Sequence, residues 1–191
     1  MFPSPIQRII DQVDALRDQV DDHWQIPADA ARVLAQLVRM ARAMSICEIG
    51  HSYGFSTLHL AAAAAEHGGR VHSFDHSEKK HEAAGRHLEQ AGLGGSVTLH
   101  LGDARELVRA FVPEAPYDFV FVDATKDQSL DYLAAVRPRL APRCWMVTDN
   151  IRTHADELAP FVEELCRISG GRTCPLPVGN GFELTLVEAG G

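Results

Sequence analysis

Short apolar runs alternate with longer amphipathic segments over most of the chain. Five apolar, strand-like runs are SICEIG (45–50), RVHSFD (70–75), SVTLHLGD (96–103), YDFVFVDA (117–124) and RCWMVTDN (143–150). Helical spacing of apolar residues predicts helices near 55–67, 77–91, 104–112, 127–139 and 155–169. Because the strand-like runs are apolar on both faces, the alternation predicts an α/β fold with a parallel sheet covered on both sides.

Both ends of the chain depart from this alternation. Apolar residues from Ile6 to Val20 recur at helical spacing, and a second helix is predicted to start at Pro27. Near the C-terminus, RTCPLPV and FELTLVEA flank Gly179–Gly181, which predicts an antiparallel hairpin. We therefore expect a single domain over 1–191, with a core in 44–191. The N-terminal helices in 1–43 are expected to cover a substrate site or a dimer interface, so a homodimer is one expected assembly.

Composition and charge narrow the class of function. The chain is 46% hydrophobic and 23% charged, which is typical of a globular domain. Its net charge of −8 argues against nucleic acid as a partner. The longest apolar stretch, Leu58–Ala65, is too short to span a membrane. The N-terminus lacks the basic start and apolar core of a signal peptide, so a cytoplasmic location is expected.

The turn after the first strand-like run carries two glycines at the wrong spacing for a dinucleotide site. Gly50 and Gly54 are spaced GxxxG, whereas a pyrophosphate site packs its glycines as GxGxxG. A cofactor without phosphates has no such requirement. Glu48 would be poorly placed beside a pyrophosphate, but it suits a ligand with an ammonium or sulfonium charge.

Other polar residues follow the next strands. Asp75 ends the second strand, where a carboxylate can accept hydrogen bonds from ribose hydroxyls. Asp103 and Ala104 follow the third strand and are placed to meet an adenine edge, and Ser56 could bind a methionine carboxylate. Taken singly, a GxxxG turn is often only packing and an acid after a strand only a helix cap. Taken together, these features favour S-adenosyl-L-methionine over NAD.

Several segments together resemble a known family. EIGHSYGFSTLHLA, VHSFDHSEKK, LGDARELV, FVDATKDQ and MVTDN resemble the successive motifs of metal-dependent class I O-methyltransferases, the catechol and caffeoyl-CoA O-methyltransferase relatives. The resemblance extends from about Pro27 to the closing LPVGNGFELTLVE. It implies a Rossmann-like methyltransferase fold with a mostly parallel seven-stranded sheet. The cofactor contacts expected with it are Glu48, Gly50, His51, Ser56, Asp75, His76, Asp103, Ala104 and Asp123.

The resemblance also implies a metal site. In that family's sheet the fourth and fifth strands are neighbours, so side chains at their ends can share one cation. Asp123 would supply one ligand and Asp149 and Asn150 two more, all of them oxygen donors as Mg²⁺ prefers. We expect Mg²⁺ as the ion. The alternative is that Asp149–Asn150 is a turn and Asp123 a helix cap.

Lys126 matches the catalytic lysine of the catechol-type enzymes. A metal and partial burial would both depress the pKa of its ammonium, which would make it a general base; otherwise it is a solvated lysine at a helix start. The expected reaction is direct methyl transfer to a hydroxyl of a small molecule chelated to the metal, such as a vicinal diol or a catechol-like phenol. The sequence leaves open which substrate is used.

Two other functional classes remain at this stage. One is a nicotinamide-dependent oxidoreductase, which the GxxxG spacing opposes. The other is a non-catalytic methyltransferase-like binding protein, which the presence of all three metal-ligand residues opposes.

Overall fold

The computed structural model describes residues 2–188 and contains one seven-stranded sheet. Its strands are β1 Ser45–Ile49, β2 Arg70–Asp75, β3 Val97–Leu101, β4 Tyr117–Val122, β5 Leu140–Thr148, β6 Thr173–Leu176 and β7 Phe182–Glu188. Their order across the sheet is β3-β2-β1-β4-β5-β7-β6. Strands β1 to β5 are parallel, and β6 and β7 form the antiparallel hairpin. The predicted fold is therefore confirmed.

Seven α-helices accompany the sheet within residues 2–188. They are α1 Ser4–Ala15, α2 Ala28–Ala41, α3 Phe55–Ala65, α4 Glu78–Gln90, α5 Ala104–Ala110, α6 Ser129–Val136 and α7 Ala155–Ser169. The first helix is shorter than its apolar pattern, because a 3-10 turn at Leu16–Asp18 ends it. Pro27 lies just outside α2 with extended backbone and caps it, instead of forming its first turn. None of the helices in this range is both long and apolar enough to cross a membrane.

The two faces of the sheet bury separate cores. Along β1, Ile46 packs into the core under α1 to α4, whereas Cys47 and Ile49 pack into the core that includes residues of α5, α6 and α7. Because side chains on both faces of the strands are buried, each strand appears in the sequence as a nearly continuous apolar run.

The N-terminal helices bury their apolar faces on this same domain. Ile9, Ile10 and Val13 of α1 are buried in the core that also holds the alanine-rich helix α3. Because α3 is buried along nearly its whole length, it lies beneath α1 and α2 as an inner helix. The loop that joins α1 to α2 is thereby brought to the edge of the sheet.

Three strands end earlier than their apolar runs suggest. β3 ends at Leu101, β4 at Val122 and β5 at Thr148. The polar residues predicted as strand ends therefore lie in the loops that directly follow the strands. These loops share one edge of the sheet because β1 to β5 are parallel, and the candidate site lies there.

Candidate active site

A cavity of about 1040 Å³ opens at the carboxyl edge of the parallel strands. The loops after all five parallel strands contribute to its wall, and Trp24 and Gln25 reach it from the loop between α1 and α2. The structure brings together most of the predicted site residues in this wall, namely Gly50, Asp75, His76, Asp103, Ala104, Asp123, Lys126, Asp149 and Asn150. Glu48, His51 and Ser56 do not line it.

Asp123 and Asp149 lie side by side because their strands are paired in register. Val122 pairs with Thr148 at the ends of β4 and β5. The backbone N–H of Asp149 continues the ladder by donating to Val122 O at 3.0 Å, and that of Asp123 donates to Ile49 O at 2.9 Å. The expected neighbourhood of the fourth, fifth and first strands is therefore confirmed.

The Asp149 carboxylate is buried with little compensation for its charge. The residue is 1% exposed, and within residues 2–188 neither carboxylate oxygen has a hydrogen-bond partner at normal distance. Burial and the nearby Asp123 carboxylate raise the pKa of Asp149 to about 7, although the Asn150 backbone N–H, the Lys126 charge and the Asn180 side chain oppose the shift. Because an unpaired buried carboxylate is costly, this arrangement is suited to a bound cation.

Asn150 turns the chain immediately after β5. Its φ of 71° lies in the left-handed region, which asparagine tolerates better than most residues. Its side-chain nitrogen lies 3.4 Å from Thr153 Oγ1, so its amide oxygen is left as an acceptor. Two carboxylates and one amide oxygen match the hard oxygen ligands of Mg²⁺. The described residues contain no cluster of three His, Cys, Asp or Glu side chains suited to a metal, so a site with three protein ligands here would include the Asn150 amide.

Lys126 lies next to Asp123. Its Nζ donates to Asp123 Oδ1 at 2.9 Å, and both side chains are mostly buried. The 3-10 turn Lys126–Gln128 follows the loop after β4 and holds the lysine at the cavity wall. This ion pair is a contact that the sequence pattern did not predict.

Glycine at position 50 is required by the packing of two strand ends. Its φ is +93°, and a Cβ there would lie 2.1 Å from the carbonyl oxygen of Asp123. Gly54 also has positive φ, and its Cβ would lie 3.1 Å from Ala84 Cβ of α4. Gly50 therefore allows the first loop to approach the fourth strand, whereas Gly54 serves packing, which agrees with the simpler interpretation of GxxxG.

Asp75 joins two loops of the cavity wall. Its Oδ2 accepts from the backbone N–H of Ser52 at 2.8 Å, and its Oδ1 accepts from that of Ser77 at 2.9 Å. The predicted contact with a ribose stays a prediction. His76, directly after it, has a side chain that is 82% exposed at the cavity rim.

Asp103 is engaged by a neighbour that sequence reasoning missed. Its carboxylate caps α5 by accepting from the backbone N–H of Arg105, and the Arg105 side chain binds it through Nε and Nη2 at 2.6–3.1 Å. The Arg105 hydrogen bonds lower the pKa of Asp103. Asp103 nevertheless lines the cavity, and its predicted contact with an adenine edge stays a prediction.

Glu48 and Ser56 lie beneath the cavity and not in its wall. Glu48 is fully buried and accepts hydrogen bonds from Ser56, Thr57 and Ser73 hydroxyls, each at 2.6 Å. Burial raises the pKa of Glu48 to about 7, although these hydroxyl groups oppose the shift. His51 joins the network through Nδ1, 3.1 Å from Ser73 Oγ. In the structure these residues bind one another beneath the glycine loop, and their predicted direct contacts with a cofactor stay predictions.

Several lining residues were not singled out from the sequence. They are Trp24, Gln25, Arg105, Gln128, Tyr132 and Asn180. Trp24 and Gln25 carried a signal, because they belong to the N-terminal region that was expected to cover the site. The other four come from helices and turns whose relation to the strand ends is a tertiary property.

A family model described as a methyltransferase domain matches residues 47–151. The chain belongs to this family. The matched segment begins in β1 and ends just after Asn150, so it contains every predicted cofactor and metal residue.

The relatives of this methyltransferase-family chain agree with the resemblance seen in its motifs. It is 27% identical to a catechol O-methyltransferase of Niastella koreensis, over 66% of this chain and 58% of that protein. It therefore spans less than two thirds of that relative. It is also 27% identical to caffeoyl-CoA O-methyltransferase 2 of Petunia hybrida, over 88% of this chain and 80% of the relative. The motif-based family assignment is confirmed.

A solved structure shares the fold over nearly the whole chain. The O-methyltransferase TomG from Streptomyces achromogenes, solved in complex with S-adenosylmethionine, superposes with a TM-score of 0.81 at 24% identity. The match covers 99% of this chain and 92% of TomG. The N-terminal helices and the hairpin thus belong to the shared fold.

Proposed function

We propose that this chain transfers the methyl group of S-adenosylmethionine to a hydroxyl group of a small molecule. Two relatives named as catechol and caffeoyl-CoA O-methyltransferases support this, as does the shared fold of a protein solved with S-adenosylmethionine. The acceptor we propose is a vicinal diol or catechol-like phenol that shares a divalent cation with the protein.

The proposal of a metal site rests on one structural observation. Asp149 is buried beside Asp123 at the cavity wall, and its oxygens have no hydrogen-bond partner within residues 2–188. A folded protein tolerates such a group where an ion neutralises it. Asp123, Asp149 and Asn150 would hold that ion, with Mg²⁺ in first place.

Two residues of the cavity wall have structural roles in the proposed reaction. Asp75 accepts hydrogen bonds from the ribose, and Gly50 keeps the loop close to Asp123.

A divalent cation supplies Lewis-acid chemistry that lowers the pKa of an acceptor hydroxyl. S-adenosylmethionine supplies a methyl carbon on a sulfonium; the acceptor oxygen bonds to this carbon while the C–S pair stays on sulfur as a thioether. Orienting the two reactants can lower the barrier by roughly 7–11 kcal/mol.

Lys126 takes up the proton of the acceptor hydroxyl at Nζ. Its ammonium donates to Asp123 Oδ1, so this contact must open and Nζ must release its own proton before the nitrogen can accept another. Lys126 lies three residues after Asp123 and contacts it, so the proposed base lies close to the proposed position of the acceptor hydroxyl.

The test separates cofactor binding from metal dependence. Calorimetry should show binding of S-adenosylhomocysteine and not of NAD, and Asp75→Ala should weaken that binding. Methyl transfer to a catechol should vanish under EDTA and return with Mg²⁺ or Mn²⁺. Binding of NAD without S-adenosylhomocysteine would overturn the proposed function. Full activity after thorough chelation would overturn only the metal part.

A further inference from the structure

The proposed metal ligands after β5 lie where the pairing of β5 with β7 is interrupted. The two strands pair regularly as far as Thr148 and Glu183. Beyond that pair, the backbone N–H of Ile151 donates to Gly181 O at 3.1 Å. Two residues of the loop after β5 therefore lie opposite the single residue Phe182, which is the arrangement of a β-bulge.

This bulge brings two consecutive side chains to the same cavity. In a regular strand the side chains of Asp149 and Asn150 would point to opposite faces of the sheet. The left-handed φ of 71° at Asn150 breaks the alternation, and both residues line the cavity. The geometry of the proposed metal ligands therefore depends on the contacts that hold the bulge in place.

The tip of the C-terminal hairpin, residues 178–181, supplies such contacts. Asn180 O accepts from the backbone N–H of Arg152 at 3.1 Å, next to the hydrogen bond between Ile151 and Gly181. A Cβ on Gly181 would lie 2.5 Å from Arg152 Cγ, so the Arg152 side chain packs directly on the glycine backbone. The hairpin tip and the loop after β5 are thus joined by two hydrogen bonds and one close contact.

Helix α2 fixes the hairpin tip from its other side. A Cβ on Gly179 would lie 2.8 Å from Ala30 Cβ and 3.2 Å from Pro27 Cγ. The hairpin tip is therefore packed between the start of α2 and the loop after β5, and its backbone can serve as a fixed support for that loop.

Asn180 also extends its side chain from this support toward the proposed metal ligands. It lines the cavity, and its side chain lies beside the Asp149 carboxylate, although no hydrogen bond of normal length joins the two. An asparagine amide nitrogen donates two hydrogen bonds, and a carboxylate accepts them. A carboxylate that binds a cation through one oxygen is commonly oriented by a donor at its other oxygen.

We infer that the hairpin tip positions the proposed metal ligands, and that Asn180 is a positioning residue that orients the Asp149 carboxylate through its side-chain amide. The inference rests on the metal part of the proposed function, because it names the residue that holds one of the proposed ligands. It concerns a residue outside the predicted site residues.

The first experiment titrates Mn²⁺ into the metal-free wild-type chain and into Asn180→Ala, by calorimetry and by the paramagnetic resonance of free Mn²⁺. Asn180→Ala should weaken Mn²⁺ binding by about tenfold or more, the usual effect of losing a residue that orients a metal ligand. Its Tm in EDTA and its affinity for S-adenosylhomocysteine in EDTA should stay at the wild-type values, because the backbone contacts of the hairpin tip remain. A general loosening of the fold would change these two readouts as well.

The second experiment tests the support by the backbone. Gly181→Ala should weaken Mn²⁺ binding by about tenfold, because its Cβ would displace Arg152 and the loop that carries the ligands. The matched control is Gly171→Ala, which also has positive φ but whose Cβ would meet no atom of residues 2–188 within 4 Å apart from its chain neighbours. This control should keep the wild-type affinity. In an Arg152→Ala background Gly181→Ala should cost less Mn²⁺ affinity, because Arg152 Cγ and Cδ are gone.

The outcomes separate this inference from the proposed function. Wild-type Mn²⁺ affinity in Asn180→Ala would overturn the role of its side chain, and a raised KM for the acceptor in that variant would then assign Asn180 to acceptor binding. Equal Mn²⁺ affinities of Gly181→Ala and Gly171→Ala would overturn the role of the hairpin tip. Absence of Mn²⁺ binding to the wild-type chain would overturn this inference together with the metal part of the proposed function.

Discussion

The Lys126 ammonium lies 2.9 Å from Asp123 Oδ1, in an ion pair whose side chains are 15% and 19% exposed. The pair joins the proposed base to a proposed metal ligand. A charge role and a proton-transfer role for Lys126 are therefore distinct and can be separated by substitution.

Lys126→Met should lower kcat by about 10²-fold or more, because general base catalysis typically contributes that much. Affinity for Mg²⁺, measured by calorimetry, should not fall, since the substitution removes a positive charge beside Asp123. Lys126→Arg is the matched control: it retains a charge near Asp123 but does not give up its proton at working pH. Recovery of turnover in the arginine variant would show that the charge and not proton transfer matters.

Asp149→Asn should abolish the response to Mg²⁺ and also stabilise the metal-free protein. The substitution removes a buried charge that lacks a partner, and we expect a gain of about 1 kcal/mol, or about 2–4 °C in Tm for a domain of this size. Calorimetric metal titration and thermal unfolding in EDTA measure the two effects. A lower Tm together with retained metal response would contradict the assignment of Asp149.

Gly50→Ala should destabilise the protein by at least about 2 kcal/mol more than Gly68→Ala. Both positions have positive φ, which costs an alanine about 1–2 kcal/mol, but only the Cβ at position 50 would meet backbone, at 2.1 Å from Asp123 O. Apart from its chain neighbours, no atom of residues 2–188 lies within 4 Å of a Cβ built on Gly68. Urea unfolding of the two variants gives the comparison. Equal losses would show that the approach of the loop to Asp123 is not required.

Protonation of His59 should lower the free energy of unfolding of the protein as the pH falls below neutral. Burial lowers the pKa of His59 to about 4, so in this range the unfolded chain binds more protons than the folded chain. The contribution of His59 is complete above about pH 6.5 and is lost as pH falls toward 4. Between pH 7.5 and pH 5 the wild-type chain should lose about 2 kcal/mol more than His59→Gln, as measured by urea unfolding. Parallel pH profiles would contradict this.

Trp24→Ala should raise KM for the acceptor several-fold and leave affinity for S-adenosylhomocysteine nearly unchanged. The indole is 78% exposed at the cavity mouth, so its loss removes apolar surface from the site without disturbing the core. Met40→Ala is the control, because Met40 is 79% exposed and does not line the cavity. Unchanged kinetics in the Trp24 variant would exclude a role of this loop in holding the acceptor.

The sequence by itself determined the sheet, the hairpin and most of the residues at the site. Runs that are apolar on both faces require burial on both faces, and a parallel sheet between two layers of helices provides it. Parallel strands align their carboxyl ends, so Asp75, Asp123 and Asp149 were certain to share one edge once the strands were recognised.

The tertiary structure decided which polar groups remain free to bind a ligand. Ser56 donates to Glu48 beneath the loop, and Arg105 binds Asp103, whereas the Asp149 carboxylate has no hydrogen-bond partner at normal distance within residues 2–188. Whether a carboxylate joins a buried hydrogen-bond network, caps a helix or can bind a ligand depends on the donors within about 3 Å of it. Those donors come from segments distant in the chain or from side-chain conformations, and no periodicity in the sequence records them.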